Sequence, residues 1–442
     1  MGKGRQKTPT GRHLSDHHDH HHHGGGGGGS SGGISSEEST ERSDKVLLSS
    51  RSTSTSSSSS SPSCFGKVFV SLRRKCEMAA LVFLYGLPLS AGGPLVDLFY
   101  GRRRSAEGVE LETQTQIVLE IGRLVREERN FDVVEAMRKD VNKARRWFER
   151  WLRQPMHRKV KAENVSIPAG GGRGGGKAWL NVRVYTPEEL VGSHVPLPVL
   201  LYFHGGGFVI GNLNTVEGWL THVCHWSKCV VISVDYRLAP ENPHPAAIED
   251  AVSCFQWVVD HAEERGWDSS KIAVGGDSAG GSIAAVLAQQ ALARKFQVKP
   301  CFQLLLFPST YLGPRRPGFK SIEEFGKEDY YTMPFKSMIY FRNAYLGPDK
   351  DGLDVTVSPL VAEDHVLRDL PPAYFGLCHF DVLRDEGREY ARRLKESGVS
   401  VCLEEWRAHH GIIYLYRKVG YAKESLKGVA SHLRRHMYPA KL

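Results

Sequence analysis

The stretch Gly276-Asp277-Ser278-Ala279-Gly280 is the most informative part of the sequence for the fold, because it joins a predicted strand to a predicted helix. It follows the mostly apolar residues 271–275, which predict a strand, and it opens a helix rich in small residues. A tight turn in this position holds its serine in a strained conformation above the sheet edge, and the glycines let strand and helix approach closely. Ser278 is therefore a candidate nucleophile.

The five-residue pattern alone is weak evidence in a chain so rich in glycine and serine. Residues 28–32, Gly-Gly-Ser-Ser-Gly, also fit it. That second match lies in a low-complexity segment with neither a strand before it nor a helix after it. Only the match at Ser278 lies between a predicted strand and a predicted helix, which is the context of a nucleophilic serine in such a turn.

A second glycine-rich turn, His204-Gly205-Gly206-Gly207-Phe208, follows a predicted strand at 198–203. Such a turn frees backbone N–H groups to converge on one point, as a developing oxyanion requires. A flexible turn is one alternative. A phosphate loop is another, but it requires a following Lys-Ser/Thr, which is missing here. The N–H groups of Gly206, Gly207 and Ala279 are the predicted oxyanion hole.

An orienting carboxylate and a base are expected after the serine, in that order. Asp381 follows a predicted strand at 373–378, and His410 follows another at 401–406, so both should reach the same sheet edge as Ser278. Asp381 also fits a helix N-cap, and Asp385 is a competing candidate. The position directly after the strand favours Asp381.

Beyond about residue 111, apolar strands alternate with helical segments. Strands that are apolar throughout indicate a mostly parallel sheet covered by helices on both faces. We predict strands at 179–185, 198–203, 229–235, 271–275, 301–307, 373–378 and 401–406, and helices at 115–125, 133–151, 246–262, 279–295, 384–396 and 419–434.

The N-terminal part has a different composition. Residues 1–77 are mostly low-complexity His, Gly and Ser, which predicts a disordered tail. Residues 78–104 contain an uncharged apolar run between basic clusters, so association with a membrane through residues 78–100 is one expectation. Several Gly and Pro residues interrupt this run, and a membrane span, an interfacial anchor and an apolar lid remain alternatives. No conventional signal peptide is visible, which leaves cytoplasmic and membrane-associated locations open.

Charge and cysteine usage narrow the classes of function. The chain has 58 Lys+Arg against 49 Asp+Glu, a net charge of +9, with much of the excess between residues 138 and 161. No aromatic interleaving or nucleic-acid-binding motif accompanies this run, so a solvated helix face is favoured over a membrane-facing patch and no nucleic-acid role is expected. The eight cysteines lack the paired spacing of a zinc site, and neither a metal nor a cofactor is expected.

The chain from about residue 111 to 435 resembles the hormone-sensitive-lipase family of α/β-hydrolases, which includes carboxylesterases and the plant gibberellin receptors. It departs from the family at Val382, where proline is usual, and at Ile412, where an aromatic residue is typical. The motifs that carry the resemblance are HGGGF at 204–208, VDYRLAPE at 234–241, PAA at 245–247, ED at 249–250, GDSAGG at 276–281, SPL at 358–360, LPP at 370–372 and DVLRDEG at 381–387.

This resemblance implies a hydrolase domain over residues 105–442, with an N-terminal helical cap formed by about 111–154 and part of 311–346. It also implies a serine hydrolase that cleaves short- to medium-chain carboxylic esters through an acyl-enzyme. By the family's His-Gly pair, His410 is the base, and His409 is a neighbour that faces solvent or lines the pocket mouth.

Three other activities within the family remain open. A hormone-like ligand receptor would bind without turnover, but gibberellin receptors carry an aliphatic residue at the position of His410. A dehydratase would use the same histidine to abstract a proton, and threonine can replace the serine in those relatives. A deacetylase is the third alternative. The oligomeric state is not indicated by the sequence.

Overall fold

The computed structural model of the protein describes residues 101–439, except 130–131, 170–178, 315, 317 and 328–329, together with positions 94, 95, 98 and 100. The predicted tail at 1–77, the apolar run up to residue 93 and the Gly-rich loop at 170–176 lie outside the described residues.

One mostly parallel, eight-stranded sheet organises the described chain. Its strand order is β1-β2-β4-β3-β5-β6-β7-β8, and β2 pairs antiparallel with both β1 and β4 while the other pairs are parallel. This confirms the predicted α/β-hydrolase architecture. The strands are β1 Val160–Pro168, β2 Trp179–Pro187, β3 Leu197–Phe203, β4 Val230–Asp235, β5 Trp267–Asp277, β6 Phe302–Leu306, β7 Ala373–Phe380 and β8 Val401–His409.

Helices connect the strands and cover both faces of the sheet. We number the helices from residue 113. None of those described is both long and apolar enough to cross a lipid bilayer. They are α1 Thr113–Arg129, α2 Val133–Lys139, α3 Val141–Leu152, α4 Leu213–Ser227, α5 Ala246–Asp260, α6 Ala279–Ala293, α7 Lys320–Phe325, α8 Phe335–Leu346, α9 Asp364–Arg368, α10 Arg384–Glu396 and α11 Gly420–Met437.

The core consists of two large apolar clusters, to which successive residues of a strand contribute alternately. In β3, for example, Val199 and Leu201 belong to the cluster with α5 and α6, whereas Leu200 and Tyr202 belong to the cluster with α4 and α11. Every residue of β3 is buried. Because both faces are covered, the central strands are apolar runs, and their C-terminal ends are left as the place for polar side chains.

Several elements differ from the prediction, and no helix was predicted at the positions of α7, α8 and α9. Strand β1 was missed because it is a polar edge strand in which only Val160 and Ile167 are buried. The helix predicted at 133–151 is divided at Asp140, whose N–H donates to Ala136 at the end of α2 and whose carboxylate caps α3 at Lys143 N, 2.8 Å away. Helix α4 was also missed, although a capping box at Asn212 marks its start.

Candidate active site

Ser278 lies in the turn between β5 and α6, as predicted. Its backbone has φ 53° and ψ −121°, a conformation that L side chains rarely adopt. Two backbone hydrogen bonds clamp the turn: Ser278 N–H donates to Leu306 O at 2.9 Å, and Ser309 N–H donates to Ser278 O at 3.1 Å. The adjoining strand β6 therefore holds the strained serine in place.

Two glycines of the motif are required by close packing. A Cβ on Gly276 would lie 2.2 Å from the carbonyl carbon of Gly280, and one on Gly280 would lie 2.0 Å from Phe203 O. No Cβ is tolerated at such distances. Strand β5, helix α6 and the end of β3 can consequently meet, which brings the serine next to the glycine-rich turn that follows β3.

The three side chains predicted as a catalytic triad form one hydrogen-bonded chain. His410 Nε2 lies 3.0 Å from Ser278 Oγ, and His410 Nδ1 lies 2.7 Å from Asp381 Oδ2. Since an ionised carboxylate only accepts, Nδ1 carries the proton and Nε2 can accept the serine hydroxyl proton. Asp381 is 1% exposed and Ser278 is 7% exposed, so the chain is shielded from water.

Asp381 follows β7, and the local backbone fixes its orientation. Its second oxygen accepts a hydrogen bond from Leu383 N–H at 3.0 Å, which leaves Oδ2 for His410. The rival Asp385 instead accepts from Ser321 N–H at 2.8 Å and from Arg384 Nε at 2.9 Å. The structure therefore brings Asp381, and not Asp385, to the histidine. Val382, the residue in the usual proline position, packs in a small apolar cluster.

The glycine-rich turn adopts conformations that favour glycine. Gly206 has φ 123° and Gly207 has φ 60°, and a Cβ on Gly207 would lie 2.2 Å from the ring of Phe341. Within the described part of the chain, the N–H groups of Gly206, Gly207 and Ala279 have no protein acceptor. Both glycines line the same cavity as Ser278 and His410.

A buried carboxylate that sequence reasoning did not assign supports this turn. Asp277 accepts hydrogen bonds from Tyr202 OH at 2.9 Å, Tyr414 OH at 2.7 Å and Gly205 N–H at 3.0 Å. Burial raises the pKa of Asp277. Its place beside Ser278 in the motif was visible, but no spacing signal pointed to Tyr202 or Tyr414 as its partners.

A cavity of about 220 Å³ opens onto Ser278. Its wall is largely apolar and includes segments predicted as the cap: α1, α3 and α8 all contribute, as does the loop at 332–333. The lining side chains from these segments include Val118, Leu119, Phe148, Trp151, Leu152, Met333 and Phe341.

His409 lies in the wall of the cavity and is only 2% exposed, so of the two positions expected for it, the solvent-facing one is wrong. Its Nδ1 lies 2.7 Å from His410 O and 3.2 Å from Thr332 Oγ1. A carbonyl can only accept, so Nδ1 carries the proton. Burial lowers the pKa of His409 to about 4 and keeps the ring neutral.

The described residues contain one cluster with the composition of a metal site, formed by Glu107, His379 and Glu405. Arg388 occupies both carboxylates: it donates to Glu107 at 2.7 Å and to Glu405 at 2.8 Å. The hydrogen bonds of His379 and Arg388 lower the pKa of Glu405 to about 2. Because a guanidinium already neutralises these oxygens, the cluster is an ion-pair network rather than a cation site.

The chain is similar in sequence and in structure to known esterases. A family model described as the alpha/beta hydrolase fold matches residues 200–413. Esterase LipI of Mycobacterium tuberculosis is 39% identical over 272 residues, which are 61% of this chain and 78% of that protein. Ethyl acetate hydrolase of Pseudomonas putida is 34% identical over 266 residues, 58% of this chain and 79% of its own. The solved structure of ester-hydrolase EH1AB1 from the Lake Arreo metagenome matches with a TM-score of 0.67 and 32% identity, over 74% of this chain and 99% of that one.

A parallel sheet with a serine turn after β5 and a covered cavity at its edge defines an α/β-hydrolase. More particularly, the chain belongs to the hormone-sensitive-lipase-like family of α/β-hydrolases. The predicted family and the predicted enzyme class, the carboxylesterases, are confirmed by these relatives.

Proposed function

We propose that the chain is a serine esterase that hydrolyses short- to medium-chain carboxylic esters through an acyl-enzyme on Ser278. The observation that carries the proposal is the hydrogen-bonded chain from Asp381 through His410 to Ser278, with distances of 2.7 and 3.0 Å. The names of the relatives, an esterase and an ethyl acetate hydrolase, support the same chemistry.

In the first half-reaction, His410 Nε2 takes the proton of Ser278 as its oxygen attacks the ester carbonyl carbon. The N–H groups of Gly206, Gly207 and Ala279 donate to the developing oxyanion. His410 then passes the proton to the departing alkoxide, which leaves as the alcohol. Asp381 keeps the imidazole in the required tautomer and stabilises its transient positive charge.

Water completes the cycle along the reverse path. His410 removes a proton from the water molecule while the water oxygen attacks the acyl carbon. The proton then passes from His410 to Ser278 Oγ as the carboxylic acid leaves. His410 is the base in this step because its Nε2 lies 3.0 Å from Ser278 Oγ, whereas His409 makes its hydrogen bonds to His410 O and Thr332 Oγ1.

The lining of the cavity supports an apolar substrate, because most of the side chains around Ser278 are apolar. We assign the segments 111–154 and 320–346 to a cap over the hydrolase core, since side chains from both line this space. Substitutions in Phe148 or Phe341 should therefore change acyl-length preference.

The receptor alternative is disfavoured by His410 itself, which lies within hydrogen-bonding distance of the serine. Binding of a ligand without turnover does not require a base beside the serine. In dehydratase relatives threonine can replace the nucleophilic serine, so the presence of Ser278 likewise favours ester hydrolysis.

An acyl-length series tests the proposal. The full chain and its Ser278→Ala variant are assayed with p-nitrophenyl esters from acetate to dodecanoate, after circular dichroism shows that both are folded. We expect the highest kcat/KM at short to medium lengths and a loss of roughly 10⁴-fold in Ser278→Ala. Equal rates for the two proteins contradict the proposal. Tight binding of an ester without turnover by the wild-type chain points to the receptor alternative.

A further inference from the structure

Helix α3 exposes two tryptophans next to the active-site cavity. Trp147 is 45% exposed and Trp151 is 58% exposed, and their rings stack with centroids 6.3 Å apart and planes 2° from parallel. They are one helical turn apart, so they extend from the same side of the helix. Large exposed aromatic side chains in contact with each other are a common mark of an interaction surface.

The same side of the helix is strongly basic. Lys143, Arg146 and Arg150 of α3 and Arg153 at its C-cap are all exposed. In the part of the chain that the structure describes, none of the four is paired with a carboxylate. The one acidic residue inside α3, Glu149, accepts hydrogen bonds from Asn212 and Asn214 at 2.8 and 2.7 Å and pairs with none of the four.

We call this surface the α3 face, and it consists of Lys143, Arg146, Trp147, Arg150, Trp151 and Arg153. Its opposite side is fixed to the body of the protein: Arg145 donates to Val209 O and Ala239 O, both at 2.8 Å, and pairs with Glu241. Phe148 and Leu152, from the inward side of the helix, line the cavity at Ser278, and Trp151 of the α3 face borders the same cavity. The α3 face is therefore rigidly placed beside the cavity.

We propose that the α3 face docks on an anionic lipid surface. Indole rings favour the headgroup level of a bilayer, and guanidinium groups bind phosphate oxygens with two hydrogen bonds. Unpaired cations interleaved with exposed tryptophans match a surface that is negative outside and apolar just beneath. A soluble polyanion such as heparin, or a nucleic-acid duplex, satisfies the charge but gives the tryptophans no apolar layer to enter.

Docking in this orientation sets the cavity against the lipid. If the proposed esterase activity is correct, on which this consequence rests, esters dissolved at the interface reach Ser278 without crossing bulk water. The interaction itself does not depend on catalysis, because the docking residues that are varied below are separate from the proposed triad.

The test is sedimentation of the full chain with vesicles of phosphatidylcholine alone or with 30 mol% phosphatidylserine. We expect Arg146→Gln/Arg150→Gln to weaken partitioning onto the anionic vesicles roughly 25-fold, at about fivefold for each charge. Trp147→Ala should weaken it as well, and added salt should weaken wild-type binding. A matched control removes two exposed lysines that precede β6 and β8 at the opposite sheet edge, Lys299→Gln/Lys395→Gln, and should bind like wild type.

Equal binding by the wild type and the arginine double variant overturns the proposal, and so does an equal loss in the lysine control. Binding to heparin that depends on α3, without binding to anionic vesicles, also overturns it. Hydrolysis of soluble p-nitrophenyl acetate without vesicles is measured in parallel and should be unchanged in the arginine double variant. Vesicle binding without hydrolysis by the wild type contradicts the proposed function alone, and hydrolysis without vesicle binding contradicts this inference alone.

Discussion

His410 Nε2 lies 3.0 Å from Ser278 Oγ although the two residues are 132 positions apart in the chain. Its sequence neighbour His409 is oriented differently, with Nδ1 held 2.7 Å from His410 O. Two adjacent histidines thus have separate roles. His410 faces the serine hydroxyl, and His409 donates to the backbone carbonyl of His410.

Replacement of each histidine in turn should separate these roles. His410→Ala removes the base, so we expect kcat to fall roughly 10⁴-fold. His409→Ala removes a buried ring but leaves the relay, so stability should fall by about 1–3 kcal/mol while most activity remains. Steady-state kinetics and urea denaturation of both variants check this. The reverse pattern would mean that the base has been assigned to the wrong residue.

A methyl group on the oxyanion turn should block catalysis. At Gly206 a Cβ would lie 2.1 Å from Ile210 O, so Gly206→Ala must displace the turn and its N–H groups. We expect a loss of about 10²–10³ in kcat. The matched control is Gly192→Ala, where φ is +78° but no heavy atom lies within 4 Å of the added Cβ. If both variants keep wild-type kcat, Gly206 has no part in oxyanion binding.

The attachment of α3 to the body of the protein should depend on the planar guanidinium group of Arg145. Arg145 bonds two backbone carbonyls and both oxygens of Glu241, which a lysine cannot reproduce. We expect Arg145→Lys to lower the free energy of unfolding by about 1–3 kcal/mol and to reduce kcat/KM. The exposed neighbour supplies the control, Arg146→Lys, which should match wild type. Indistinguishable results for the two variants would show that the charge alone holds the helix.

Acid should destabilise the fold through two buried histidines. Burial lowers the pKa of His204 and of His409 to about 4, from an ordinary value of 6.5. Below pH 6.5 the unfolded chain takes up protons that the folded chain does not, so the stability present at pH 7 declines by about 2 kcal/mol per histidine at pH 5. In urea denaturation, the stability difference between pH 7 and pH 5 should be about 2 kcal/mol smaller in His409→Gln than in wild type. An unchanged difference would place the ring of His409 in contact with water.

Local signals in the sequence were sufficient to predict most residues of the candidate active site. The turn at Ser278, the glycine-rich turn after β3 and the carboxylate after β7 each follow an apolar strand, and parallel strands end at one sheet edge. Topology therefore implied their proximity. The acidic residue could be chosen between Asp381 and Asp385 for the same reason, before the structure placed Asp381 at His410.

Contacts between distant segments could not be predicted in this way. The anchoring of α3 by Arg145 and the bonding of Asp277 to Tyr202 and Tyr414 depend on side chains brought together only by packing. Strand β1 was missed because an edge strand with both faces partly in water lacks an apolar pattern. The division between α2 and α3 depends on Asp140, whose capping role is hidden inside a continuous helical periodicity.

Covalent labelling of the serine tests the central claim most directly. A p-nitrophenyl alkylphosphonate reacts with an activated serine, releases p-nitrophenol and leaves a stable phosphonyl ester. Intact-mass measurement followed by peptide mapping should show one adduct per chain, on Ser278, and its formation should be lost in Ser278→Ala and slowed greatly in His410→Ala. An adduct on another residue, or equal labelling of Ser278→Ala, would contradict the account.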